Sequence, residues 1–239
     1  METSTKRKIR IKSMAPDSWT TPTMGLVKQR DADSIWVEET NPDIWAAMRS
    51  LLDLSARQPS PDCQFSPCFA MQKVGSCVKR IWRIENFALW RKYVQRRQQI
   101  EIENLDGAAT PVSPALGTNS EGCRGHVEVL NSKSPLCRNV NECWLFHGTT
   151  SNKAAQIVMS GFDHRVSGSR GLPGMYGFGT YFASESCKSH QYNCETHASR
   201  GRNCHCKNVV RAMILARVTL GERHYAQQVA ATANPGIQG

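Results

Sequence analysis

The stretch from Cys143 to Tyr192 constrains the fold more than any other part of the chain. Cys143 to Phe146 is a short apolar run that stops at His147-Gly148, which reads as a strand ending on a histidine. Thr149 is placed to cap a helix carrying Ala154, Ile157 and Val158, and Gly161 is placed to end it. Gly168, Gly171, Gly174, Gly177 and Gly179 then punctuate a loop with little room for a regular element, and that loop runs into the apolar Tyr181-Phe182-Ala183. A strand-end histidine beside a glycine fits a ligand cleft, and the glycine-rich loop, the second strand and the histidine could close round a nucleotide.

The rest of the chain reads as support for that cleft. Residues 1–30 mix basic residues with Ser, Thr and Pro and show no periodicity, so a disordered basic tail is expected. Its Lys6 to Lys12 run reads either as a nuclear localisation patch or as a solvated tail. Asn41 before Pro42 is a helix cap, and Ile44, Met48, Leu51 and Leu52 recur at helical spacing behind it. Cys77 to Ile84 reads as a strand. Asn86 caps a second helix, with Phe87, Trp90, Tyr93 and Val94 on one side and Arg91, Arg96 and Arg97 mostly elsewhere. Residues 104–141 carry Gly, Ala, Pro, Ser, Thr and Asn with little apolar content, which predicts a flexible insertion. From Val209 to Leu220 every even position is apolar, which predicts a central strand with one face wholly buried.

Thirty Lys and Arg against twenty Asp and Glu give a formal charge of +10, a balance that suits anionic partners or simply a basic surface. No apolar segment follows the basic N-terminus and none approaches the length of a bilayer span, so no membrane partner is expected. Ten cysteines in such a chain imply thiols that are free or metal-bound in an intracellular setting, nucleus and/or cytoplasm.

The ordered set Cys143-Trp-Leu-Phe-His147-Gly-Thr, Gly161-Phe162-Asp163-x-Arg165, Met175-Tyr176-Gly177, Gly179-Thr-Tyr181-Phe-Ala183 and Lys188-Ser189-x-Gln191-Tyr192 resembles the catalytic domain of the poly(ADP-ribose) polymerase family, most nearly its tankyrase branch. The resemblance runs from Cys143 to about Gly221 and more faintly over Ile35 to Ile102, where Arg83-Ile84-Glu85-Asn86 fits the opening of that domain. It implies an α+β ADP-ribosyltransferase fold, a split antiparallel β-sheet with flanking helices, spanning residues 31–239. It further implies an enzyme that transfers ADP-ribose from NAD+ to protein acceptors, itself among them, and releases nicotinamide. The implied NAD-binding residues are His147, Gly148, Thr149, Tyr176, Tyr181, Ala183, Ser189 and Tyr192, with His147 and Tyr181 at the catalytic positions. His147 would hold a ribose hydroxyl, Gly148 and Ser189 the carboxamide, and Tyr192 would stack on nicotinamide. The family's third catalytic position is a glutamate on a strand that this sequence does not reach, and Glu222 does not match it. The expectation is therefore a C-terminally incomplete domain that binds NAD+ weakly and turns it over poorly.

Cys194, His197, Cys204 and Cys206 place four soft or borderline ligands within thirteen positions, a pattern suited to a closed structural zinc site in a loop over 194–206. The tankyrase branch carries a similar site there with different spacing, which leaves His205 or Cys187 open as substitutes for the fourth ligand. Two other functional classes stay open. One is a non-catalytic NAD- or ADP-ribose-binding module, and the other is a basic zinc-containing nucleic-acid binder.

Overall fold

The computed structural model describes residues 15–17, 19, 36–56, 74–104, 116–166, 177–193 and 210–222. In chain order these form β1 (Trp36–Glu38), α1 (Pro42–Leu54), β2 (Trp82–Ile84), α2 (Phe87–Glu103), α3 (Arg124–Asn131), β3 (Glu142–Gly148), α4 (Ser151–Ser160), α5 (Ser186–His190) and β4 (Met213–Thr219), with 3-10 turns between some of them. Among the described residues β1 pairs antiparallel with β2 and β3 with β4, as two separate sheets, so the fold is α+β with a split antiparallel arrangement. No helix among them is long and apolar enough to cross a membrane.

The two helix caps form as their residues dictate. The Asn41 side-chain oxygen accepts from the Asp43 and Ile44 N–H groups, and Pro42 takes the first helical position, where its missing N–H costs nothing. Asn86 does two things, because its oxygen accepts from Leu89 N at 3.1 Å while its amide nitrogen donates to Val158 O at 3.0 Å. It thereby ties the start of α2 to the end of α4. Gly161 ends α4 at a positive φ of 88°, as the glycine there requires. The cap at the other end is Thr150, one residue past the expected Thr149, and its hydroxyl makes no capping bond.

Leu51 of α1, Cys123 and Phe146 of β3 are buried together, and Val127 and Leu130 of α3 and Met213 and Leu215 of β4 pack on them. This core corrects the reading of a flexible insertion over 116–141, while residues 105–115 of that expected insertion lie outside the described residues. From 116 onward the segment is folded, and Thr118, Cys123 and Val140 are fully or almost fully buried. Its Thr118 N donates to Ser184 O at 2.9 Å and its hydroxyl donates to Trp144 O at 2.6 Å, so it joins β3 to the chain that follows Ala183. Gly117 permits this, since an added Cβ would lie 2.2 Å from Ser184 O and its φ is +57°.

Two strands also differ from expectation. Val74–Cys77 is a 3-10 turn, and pairing begins only at Trp82, because the intervening Lys79 and Arg80 lie exposed. Each residue of β4 is half-buried and none is fully so, in place of one wholly covered face. The strand covered on both edges is β3, which pairs with β4 from Glu142↔Thr219 to Gly148↔Met213 and bridges Ala183 through Phe146 on its other side. Tyr181-Phe182-Ala183, expected as a strand, contributes that one bridge.

Glu142, at the start of β3, is 5% exposed and gathers four donors. The Tyr93 hydroxyl, Arg97 Nη1 at 3.1 Å, Arg217 Nη2 at 2.7 Å and Cys137 N at 2.6 Å all donate to its carboxylate. Burial pushes its pKa up, but the bonds from Arg217, Tyr93 and Cys137 outweigh that and hold it below the ordinary carboxylate value. Arg217 also donates to Ser134 and Pro135 and lies over the rings of Trp90 and Trp144. The arginines of α2 are thus partly engaged within the chain, Arg97 by buried Glu142 and Arg96 by Glu103 in an exposed pair. That weakens the reading of α2 as a nucleic-acid surface. Glu142→Ala, which leaves two guanidiniums without their counter-charge, is expected to lower the unfolding free energy by about 3–5 kcal/mol, read from urea midpoints. A loss below about 1 kcal/mol, the scale of a surface pair, would mean that β3 is held by something else.

Candidate functional site

His147 stands one residue before the end of β3, opposite Ile214 of β4. Its Nδ1 lies 2.9 Å from the backbone oxygen of Tyr181. A carbonyl oxygen can only accept, so Nδ1 carries the proton and Nε2 keeps its lone pair. Burial lowers the pKa of the ring, opposed by the Tyr181 bond, so the ring is neutral near pH 7. Phe162 stands edge-on to it at 5.0 Å and Phe182 lies at 5.6 Å, while the two phenylalanine rings meet at 4.9 Å. The result is a neutral imidazole fixed in one tautomer among aromatic rings, with an acceptor nitrogen available to a hydroxyl.

Gly148 follows, and here the absence of a side chain is a steric necessity. An added Cβ would come 1.7 Å from the backbone oxygen of Ser189 in α5. Ser189 is itself buried, and its carbonyl accepts from Tyr192 N at 3.1 Å. Tyr192 is 50% exposed, with the Lys188 ammonium 5.8 Å from its ring centroid. On the other wall, the Tyr181 side chain is 41% exposed and its hydroxyl donates to Gly177 O at 2.6 Å. Ala183 is held by paired bonds to Phe146 of 2.7 and 2.9 Å, and Thr149 is buried.

The structure thus brings His147 to Tyr181, Gly148 to Ser189, Ser189 to Tyr192 and Ala183 to β3, with exposed aromatic surface at Tyr181 and Tyr192. Tyr176 lies outside the described residues, as do Cys194, His197, Cys204 and Cys206 and the alternative ligand His205. Cys187, the other alternative, is buried in α5 against Ala56, Val74 and Met213. Among the described residues no group of three or more His, Cys, Asp or Glu is arranged to hold a metal ion.

Sequence reasoning did not single out Phe162 or Phe182 as partners of His147. The signal was present in part, since Phe162 follows the helix-ending Gly161 and Phe182 precedes Ala183. Asp163 and Arg165 form a two-pronged pair at 2.8–3.2 Å beside them, and Arg165 holds the Asp163 carboxyl down to about 2. Gly148→Ala is expected to push α5 away from β3, lowering Tm and speeding amide exchange from Ser186 to Tyr192. Unchanged exchange there, with unchanged Tm, would reject the wedge of Ser189 against Gly148.

Similarity to known proteins extends over most of the chain. The family model for the poly(ADP-ribose) polymerase catalytic domain matches residues 69–238, more than half of the chain. Protein mono-ADP-ribosyltransferase PARP11 of Mus musculus is 25% identical over 194 residues, which cover 77% of this chain and 47% of the relative. Protein mono-ADP-ribosyltransferase PARP12 is 30% identical over 146 residues in Mus musculus and over 148 in Homo sapiens, in each case covering 61% of this chain and 14% of the relative. The chain therefore spans less than half the length of these relatives. With a family match of that extent, the chain belongs to the poly(ADP-ribose) polymerase catalytic domain family.

Proposed function

We propose that the chain is an NAD+-dependent ADP-ribosyltransferase that moves ADP-ribose to protein side chains and releases nicotinamide. The observation that carries this reading is the fixed tautomer of His147, which offers Nε2 as an acceptor beside a glycine pressed on buried Ser189. A ribose hydroxyl donates to Nε2. The nicotinamide carboxamide fits the Gly148 backbone and the Ser189 hydroxyl, and the exposed ring of Tyr192 suits offset stacking on the pyridine. Breaking the bond between ribose C1′ and the pyridine nitrogen sends the electron pair out with neutral nicotinamide. The positive charge left on the ribose is quenched when an acceptor carboxylate forms the new C1′–O bond. Clamping both ends of the dinucleotide fixes C1′ between leaving group and acceptor, and such positioning is a large part of the catalytic effect.

The relatives' names support transfer of a single unit, whereas the Lys188-Ser189-x-Gln191-Tyr192 match supports a tankyrase-type nicotinamide pocket. Incubation with labelled NAD+ tests the activity, and the length of the label on a gel separates single units from polymer. His147→Ala removes one hydrogen bond and is expected to weaken NAD+ binding by about 1 kcal/mol, roughly fivefold, with a larger loss of transfer. NAD+ or ADP-ribose binding with no transfer would favour the binding module. Neither binding nor transfer, together with steeply salt-dependent nucleic-acid binding, would favour the third class.

Structural zinc held by Cys194, His197, Cys204 and Cys206 belongs to the same proposal, supported by ligand type and spacing in the sequence. Protein purified without chelator is expected to carry one zinc per chain, and Cys204→Ser is expected to lower both metal content and Tm. Full stability with no metal would remove the site.

A further inference from the structure

His190 takes no part in the proposed NAD+ contacts, yet Arg211 and Asn193 converge on its ring. Arg211, which leads into β4, places Nη1 3.1 Å from Nε2, and Asn193 places its side-chain amide 3.3 Å from Nδ1. A guanidinium has no lone pair to offer, so Nε2 must accept and Nδ1 must carry the ring proton. The partner of Nδ1 is then the carbonyl end of the Asn193 amide, an orientation set by the bonding network because amide oxygen and nitrogen are not told apart by shape. Asn193 is 4% exposed, and one atom of its amide is buried without a partner. The ring of His190 is the sole hydrogen-bond anchor of this side chain among the described residues.

The position of this cluster matters because of what α5 is. A helix of five residues has no stability of its own and stays where tertiary bonds hold it. Its first residue, Ser186, is fastened to α1, with its hydroxyl donating to Leu52 O at 2.7 Å and its N–H to Ser55 Oγ at 3.4 Å. Its last residue, His190, is fastened to Arg211 and Asn193. Between those two mounts sits Ser189, its carbonyl against Gly148, and Tyr192 follows beyond.

We infer that His190 is a positioning residue for the nicotinamide end of the site, setting Ser189 and Tyr192 against Gly148 through its bonds to Arg211 and Asn193. The inference rests on the proposed NAD+ reading, since it assigns Ser189 and Tyr192 to the carboxamide and the pyridine ring. It predicts an effect confined to one end of the dinucleotide. A merely structural histidine would weaken both ends alike or neither.

The test is calorimetric titration of the intact chain with two probes, benzamide for the aryl carboxamide and ADP-ribose for the other end. His190→Ala is expected to weaken benzamide binding about tenfold while ADP-ribose affinity stays within about twofold. His190→Gln, whose amide oxygen can reach the place of Nε2 and accept from Arg211, is expected to recover part of the benzamide affinity. Should the alanine variant fail to fold, the glutamine variant carries the same comparison, with a smaller loss in the same direction. Equal loss of both probes, or no loss of benzamide, overturns the inference. Wild-type protein that binds neither probe overturns instead the NAD+ reading beneath it.

Discussion

A carboxylate buried at the start of a strand has to be neutralised by groups brought from elsewhere, and much of this fold follows from that demand at Glu142. The carboxylate draws Tyr93 and Arg97 from α2, Arg217 from β4 and the Cys137 N–H from the chain just before β3. Removing two ions from water is costly, and here the cost is offset because both oxygens are filled by good donors. The pair also sets register, since Glu142 stands opposite Thr219 and Arg217 opposite Trp144. Sliding β4 by a residue would carry the guanidinium off the carboxylate and the Trp144 ring together.

Register at one end of β3 becomes geometry at the other. His147 lies five positions along, about 17 Å at the rise of an antiparallel strand. A paired strand is stiff over that length, so the imidazole inherits its place from a cluster it never touches. What is local to His147 is its electronic state. The Tyr181 carbonyl selects the tautomer, and burial among Phe162 and Phe182 keeps the ring uncharged. Long-range packing provides location, and near neighbours provide chemistry.

How much of this was legible in the sequence depends on how local each cause is. The caps at Asn41 and Asn86, the glycine stop at Gly161 and the strand ending in His147-Gly148 rest on neighbouring residues, and they fold as read. The stretch from 116 to 141 looked featureless because its structure comes from partners far away in sequence. Thr118 answers to Trp144 and Ser184, and Cys123 packs with Leu51 and Phe146. The half-exposed β4 was misjudged for a related reason, since apolar alternation reports what a face could bury and not what lies against it. The candidate site was read from motif order, while the packing of Phe162 and Phe182 on His147 and the double mount of α5 needed coordinates. Family membership emerges at the level of the catalytic domain, and the mono-ADP-ribosyltransferase relatives do not carry the tankyrase likeness further.

Thr118 has a mechanical meaning for the cleft wall that holds Tyr181. Ser184 is bonded to Thr118 N, Ala183 is bonded twice to Phe146, and Gly117 leaves no clearance behind them. The wall is therefore riveted to the back of the domain at Ala183 and Ser184, much as a door is fixed along its jamb. The Tyr181 carbonyl lies two residues from that rivet, so the group that selects the His147 tautomer is itself tied to the back of the domain.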